Sequence, residues 1–215
     1  MRHSFQMLFL LIVMICTFSF LKVRGEEMPL VGKIIYLDAG HGGVDAGATY
    51  KDILEKDINL SIVKLLALKL ESLGATVYLT RYGDYDLSNT GAYYRKQSDL
   101  YNRAKIINDS ETDIYISIHL NSTTSSTWSG AQVFYDDIHE ENEKIASIMK
   151  EALNTKREVS EIENMYFNKR VEKPGILIEA GFLSNSHDRS LLMNEKYQEE
   201  LTDKIVLGIV NYFIT

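Results

Sequence analysis

The chain has 215 residues, with 23 basic and 30 acidic side chains and a formal net charge of −7. Such an acidic balance disfavours nucleic acid, whose affinity comes largely from Lys and Arg on phosphates. The one cysteine, Cys16, lies in the first apolar segment, so the remainder has no disulfide framework, no cysteine zinc site and no cysteine nucleophile.

In chain order, Arg2 and His3 make a short basic start. Residues 7–21 are then almost wholly apolar, broken by Cys16, Thr17 and Ser19, and Val23 and Gly25 stand at the −3 and −1 positions of a cut after residue 25. This is a secretory signal pattern. The run is short for a spanning helix, which needs roughly 20 apolar residues. A lipoprotein signal at Cys16 is disfavoured, because Met14 and Ile15 rather than small residues precede it. Residues 1–25 are expected to be an export signal or, if uncleaved, an N-terminal anchor, and they offer the one membrane contact the sequence suggests. Without Arg2, Lys22 and Arg24, the 23 basic side chains fall to 20 against 30 acidic ones, a net −10. Residues 26–215 suit one domain with a sizeable core.

A strand is predicted over 33–38, followed by a Gly-rich loop from 40 to 47. Apolar residues recur at helical spacing over 57–73 (Ile58, Ile62, Leu65, Leu66, Leu70, Leu73), and Gly74 stops that helix. A strand over 75–80, a Tyr-rich loop over 81–98, a helix over 99–109 and a strand over 113–118 follow. After a Ser/Thr-rich loop come a strand over 130–135 and a helix over 138–154. The charged stretch 155–173 gives no clear element. A strand over 175–180 and two helices, near 188–194 and over 196–213, complete the chain. This alternation predicts an α/β fold: a mostly parallel open sheet flanked by helices on both faces, in a single domain.

Three apolar runs end in chemistry. Residues 33–37 lead to His41, residues 114–118 to His119, and residues 175–178 to Glu179. In an open α/β sheet, ligands bind outside the carboxyl ends of parallel strands, so these residues are expected to converge. Glu55, just before the first long helix, joins them. A catalytic zinc commonly takes three His or carboxylate ligands and leaves a position for water. His41, Glu55 and His119 would supply that set, with Glu179 as the general base. Asp38 is a candidate to cap the Gly loop or to orient His41 from behind. Each residue has a plainer reading. A lone His after a strand is usually a structural hydrogen-bonder, and Glu55 alone would be an acid favoured at a helix start. Glu179 is harder to dismiss, since a buried carboxylate without a partner is costly.

The chain resembles the zinc-dependent N-acetylmuramoyl-L-alanine amidases of the type 3 amidase family over residues 32–213. The blocks are Leu37-Asp38-Ala39-Gly40-His41-Gly42-Gly43 with Asp45 and Gly47, then Glu55-Lys56-Asp57 with Asn59-Leu60, Thr80-Arg81, and Leu100 with Arg103-Ala104. Ser117-Ile118-His119-Leu120-Asn121-Ser122 and Ile178-Glu179-Ala180-Gly181-Phe182-Leu183-Ser184-Asn185 close the series. The family often has Pro where Ala39 stands. The resemblance implies zinc on His41, Glu55 and His119, Glu179 as the catalytic glutamate, and residues 26–215 as a catalytic domain. It implies hydrolysis of the amide between N-acetylmuramic acid and L-alanine in peptidoglycan. The compact length and the lack of a wall-binding module look most like the sporulation and germination branch, whose products allow muramic-δ-lactam to form in spore cortex. That branch implies action outside the cytoplasmic membrane and an activating partner lipoprotein. Arg81, Arg103 and Asn121 sit in the same blocks as candidates to touch substrate or to brace loops. Tyr82, Tyr85, Tyr93, Tyr94 and Trp128 are weaker candidates for sugar contacts, and His139 and His187 read as structural. The competing readings are another zinc hydrolase of the same polymer, a vegetative wall amidase, and a non-catalytic regulatory protein of the same fold. The intact four-residue set argues against the last.

Overall fold

The computed structural model describes residues 28–162 and 166–215; the export segment expected at 1–25 lies outside them. In order, the elements are β1 (Ile34–Ala39), β2 (Thr49–Tyr50), β3 (Ile53–Leu54), α1 (Glu55–Ser72), β4 (Thr76–Leu79), α2 (Arg95–Asn108), β5 (Ile114–Asn121) and β6 (Gln132–Tyr135). α3 (Asn142–Leu153), β7 (Ser160–Glu161), a 3-10 turn (Asn168–Arg170), β8 (Gly175–Phe182), α4 (Ser186–Leu192) and α5 (Glu195–Ile214) follow. Six strands form one sheet in the order β4-β1-β5-β8-β6-β7. β4, β1, β5 and β8 run parallel, and β6 lies antiparallel against β8. The mostly parallel sheet expected from the alternation of elements is therefore present.

Side-chain alternation along the strands builds two unequal layers. Ile35 and Leu37, Ile114, Ile116 and Ile118, and Ile176, Ile178 and Ala180 point to one face, where α1, α3 and α5 bury them in the main core. The alternate positions face the other way. There Tyr115 packs with Ala104 and Ile107 of α2 and with Phe167 and Val171, and Tyr36 and Leu100 lie against them. Helices thus cover both faces. Asp38, Ser117, His119, Leu177 and Glu179 share the parity of Tyr36, Tyr115 and Gly175, so the polar residues belong to the thinner α2 layer. The chain leaves β1 for β4 on one side and returns past β1 to β5 on the other, which opens a crevice at the carboxyl ends of β1 and β5.

Several bounds differ from the sequence reading. α2 begins at Arg95, not 99, because its first turn is polar and carries no apolar period. α3 begins at Asn142 rather than 138. The unassigned stretch 155–173 supplies the short β7 and the 3-10 turn. Among the described residues, no helix is long and apolar enough to cross a membrane.

Candidate metal centre and active site

Each member of the predicted site is delivered by a specific local feature. Glu55 is the first residue of α1, where the helix dipole favours an acid. His119 lies near the end of β5 and pairs in register with Glu179 on β8. His41 follows β1 in the left-handed region, with φ 63°. Such a conformation in a residue with a side chain is uncommon and is held by its surroundings. Gly40 makes the approach sterically feasible. A Cβ there would lie 2.2 Å from Cε1 of His119, a distance no side chain can occupy.

These features bring three donors together. Glu55 Oε1 is 3.2 Å from His41 Nε2 and 3.1 Å from His119 Nδ1. One ligand atom from each of His41, Glu55 and His119 lies within 4.8 Å of the others. Glu55 is fixed by main chain: Ala48 N–H donates to its Oε2 at 2.7 Å and Leu120 N–H to its Oε1 at 3.0 Å. Burial would raise the Glu55 pKa, but the hydrogen bonds and charges of His119 and His41 outweigh it and hold the carboxyl far below the usual range. Burial would lower that of His41, but Glu55 and Asp45 outweigh it and raise it. A carboxylate locked between two imidazoles, of neutral nitrogen and anionic oxygen donors, fits a metal ion of the His/carboxylate type.

Asp45, not Asp38, stands behind His41. Asp45 Oδ2 lies 3.0 Å from His41 Nδ1, and Gly47 N–H donates to Asp45 Oδ1. A carboxylate there fixes the ring so that Nε2 faces the donor cluster. Asp38 is turned the other way, into a buried network. It accepts hydrogen bonds from Thr80, Ser117 and Arg103. Arg103 also donates from Nε to Asp99, from Nη1 to the Ala39 carbonyl at 2.7 Å and from Nη2 to the His41 carbonyl at 2.6 Å. Arg81 donates to the carbonyls of Ala39, Gly40, Gly83 and Lys56. Both guanidinium groups are buried and brace the β1 loop, Arg81 through main-chain oxygens and Arg103 through main-chain oxygens and the carboxylates of Asp38 and Asp99. Asn121 holds the segment after β8 through its backbone, accepting from Leu183 N–H at 2.8 Å.

Glu179 completes the cluster differently. The residue is 9% exposed, and its Oε2 is buried without a hydrogen-bond partner. Burial is the main cause that pushes its pKa up to about 7, with the Glu55 charge adding and the two imidazoles opposing. The four residues line a cavity of about 280 Å³ whose far wall is made by Leu100 of α2 and by Tyr166, Phe167 and Asn168. Tyr166, Phe167 and Asn168 of that wall come from the stretch that gave no element in the sequence. Trp128 lies outside the cavity with Arg157 over its ring, and Tyr82, Tyr85, Tyr93 and Tyr94 are exposed. His139 accepts from Glu141 N–H near the start of α3, a structural role.

Known proteins resemble this chain in sequence and fold. The family model described as N-acetylmuramoyl-L-alanine amidase matches residues 35–211. A germination-specific N-acetylmuramoyl-L-alanine amidase of Bacillus subtilis is 46% identical over 195 residues, covering 87% of this chain and 82% of that one. A probable cell wall amidase, LytH, of Staphylococcus aureus is 35% identical over 198 residues, covering 87% of this chain and 61% of the relative. The solved CwlD amidase of Clostridioides difficile, in complex with the GerS lipoprotein, superposes with a TM-score of 0.80 at 37% identity, over 85% of this chain and 98% of that one. A match across nearly all of the described fold, with the donor cluster at the sheet's carboxyl edge, means that the chain belongs to the N-acetylmuramoyl-L-alanine amidase family.

Proposed function

We propose that this amidase is a zinc enzyme in which His41, Glu55 and His119 are the ligands and Glu179 is the general base. The reaction is hydrolysis of the amide between the lactyl group of N-acetylmuramic acid and L-alanine of the stem peptide. The observation that carries the reading is the convergence of three donor atoms within 4.8 Å beside a buried, unpartnered carboxylate. A zinc ion bound there supplies Lewis acidity to the scissile carbonyl and eases deprotonation of water. Glu179, with its pKa near 7, takes a proton from the attacking water and returns it to the departing L-alanine nitrogen. Asp45, beside Nδ1 of His41, orients the ring so that Nε2 faces the donor cluster, and the Arg103 bond to the His41 carbonyl keeps the loop in its strained conformation. Leu100, Phe167 and Leu177 keep that side of the cavity apolar, which strengthens the electrostatics of the site.

The substrate we infer is spore cortex peptidoglycan, on the similarity to a germination-specific relative. Removal of the stem peptide there precedes muramic-δ-lactam formation. The similarity to a cell wall amidase supports a second reading, in vegetative wall. Residues 1–25 would direct export, as a cleaved signal or as an anchor, so that the domain acts outside the cytoplasmic membrane. An activating lipoprotein partner is proposed because a structural relative was solved with one. Purified peptidoglycan treated with the protein tests the chemistry: new L-alanine amino termini with intact glycan are expected, whereas released acetate or cleaved cross-links would overturn it. Spores lacking the protein should lack muramic-δ-lactam; normal lactam content in them would favour the vegetative role. Equal activity and equal zinc affinity with and without candidate lipoproteins would remove the partner.

A further inference from the structure

Beside the metal-centre cavity lies a second hollow of about 290 Å³, walled by Val44, Asp45, Asp86, Arg95, Lys96 and Asp99. It shares Asp45, Lys96 and Asp99 with the first cavity. Its three carboxylates are all engaged inward. Asp99 is buried on Arg103. Asp86, with a side chain 4% exposed, accepts two bonds from Arg95. Asp45 faces His41 and the Gly47 N–H. Apart from Val44, which is exposed, the groups turned most to solvent are cationic: the side chains of Arg95 and Lys96 are 55% and 66% exposed, against 29% for Asp45.

The two cations differ in freedom. Arg95 is clamped on Asp86 through Nε at 3.1 Å and Nη2 at 2.7 Å, a fork that fixes its direction. Lys96 makes a single long contact, 3.6 Å from Nζ to Asp45 Oδ2. An exposed ion pair of that kind contributes little and exchanges readily. Lys96 therefore stands on the rim between the two cavities as a recruitable positive charge. Its partner Asp45 touches His41, so the ammonium lies only two contacts from the donor cluster. Those contacts measure 3.6 and 3.0 Å, a path within reach of one peptide residue, which spans roughly 3.3–3.6 Å, together with the side chain it carries.

We propose that the second hollow is the subsite for the stem peptide beyond L-alanine, and that Lys96 takes the free carboxylate of the residue that follows L-alanine. The ligand class is an acidic peptide with an unamidated carboxylate close to the scissile bond. This rests on the amidase reading. It goes further by giving the enzyme a preference among wall polymers that differ in amidation of the stem.

The test compares binding of L-alanyl-γ-D-glutamyl-L-lysine amide with the same peptide amidated at the glutamyl α-carboxyl, by calorimetry, to the zinc-loaded protein; the γ-carboxyl is then tied up in the next peptide bond and the probes differ in one carboxylate. Kinetics on the matching muramoyl tripeptides run in parallel. Wild type should bind the acid about two- to fivefold more tightly than the amide, as expected for one solvent-exposed charged contact, with the preference appearing in KM. Lys96→Gln should abolish the difference, and Lys96→Arg should keep it. The preference should also shrink as salt is raised, since the contact is exposed. Equal binding of acid and amide by wild type, or a preference that survives Lys96→Gln, overturns the proposal. Failure of the amidase reading shows separately, as no turnover of either muramoyl peptide, while the binding comparison still decides the subsite.

Discussion

Replacing Glu179 by Gln in the metal-free protein should change the pH dependence of folding stability. Burial raises this carboxyl from 4.5 to about 7. Below the unfolded value, folded and unfolded chains both hold the proton and the site costs nothing. Above it, the unfolded chain ionises while the folded one resists, so stability is lost progressively up to the folded value. At roughly 1.4 kcal/mol per pH unit, the full cost is about 3 kcal/mol, of which about 2 falls between pH 5 and pH 8. Glu179→Gln removes this pH-dependent part. The amide adds a cost of its own, about 1 kcal/mol or more, because the buried oxygen it replaces has no partner. That cost is the same at both pH values and cancels in the comparison. Urea unfolding in chelator should therefore show the variant gaining about 2 kcal/mol on wild type between pH 5 and pH 8. In thermal scans this is a relative rise of roughly 4–8 °C for a domain of this size. Parallel stability profiles for the two proteins would show that Glu179 titrates normally, and the argument for a buried base poised near neutrality would fall with it.

Further outcomes follow from the same geometry. Gly40→Ala places a methyl group 2.2 Å from the His119 ring; zinc or cobalt titration should show at least a hundredfold loss of affinity, with about 1–3 kcal/mol of destabilisation from overpacking. Asp45→Asn should leave the fold intact and weaken metal binding about 10–100-fold, as loss of a carboxylate behind a ligating His typically does; unchanged affinity would return the orienting role to another group. Arg103→Ala strands Asp38 and Asp99 in the interior, and chemical denaturation should register a loss of about 3–5 kcal/mol.

The strands that carry His41, His119 and Glu179 were legible because parallel strands covered on both faces read as short continuous apolar runs. Their carboxyl ends then pointed to one crevice without further information. Alternation also explains why Ser117 and Asp38 are tolerated inside: they sit on the α2 face, where Asp38 accepts hydrogen bonds from both Ser117 and Arg103. The reversed direction of β6 was not legible, since an apolar run has no polarity along the chain. The start of α2 was hidden because Arg95, Lys96, Gln97 and Ser98 show no apolar period, although the Asp99 and Arg103 spacing of four residues marked one helical face. The expectation that Asp38 could orient His41 failed for a geometric reason. Asp38 precedes the loop on a strand whose pleat turns it toward α2, whereas the left-handed His41 turns its ring back over Asp45. The cavity wall at Tyr166, Phe167 and Asn168 follows a charged, aperiodic stretch and was out of reach of pattern reasoning.

The central claim is a zinc ion held by His41, Glu55 and His119 with Glu179 as the base. It is tested most directly by titrating chelator-stripped wild type, Glu179→Gln and His119→Ala with zinc while following release of stem peptides. One zinc per chain with activity restored in wild type, one zinc without turnover in Glu179→Gln, and neither in His119→Ala is the predicted pattern. Turnover by the stripped protein, or Glu179→Gln retaining activity within about tenfold of wild type when a general base typically contributes 10²–10⁴-fold, would contradict it.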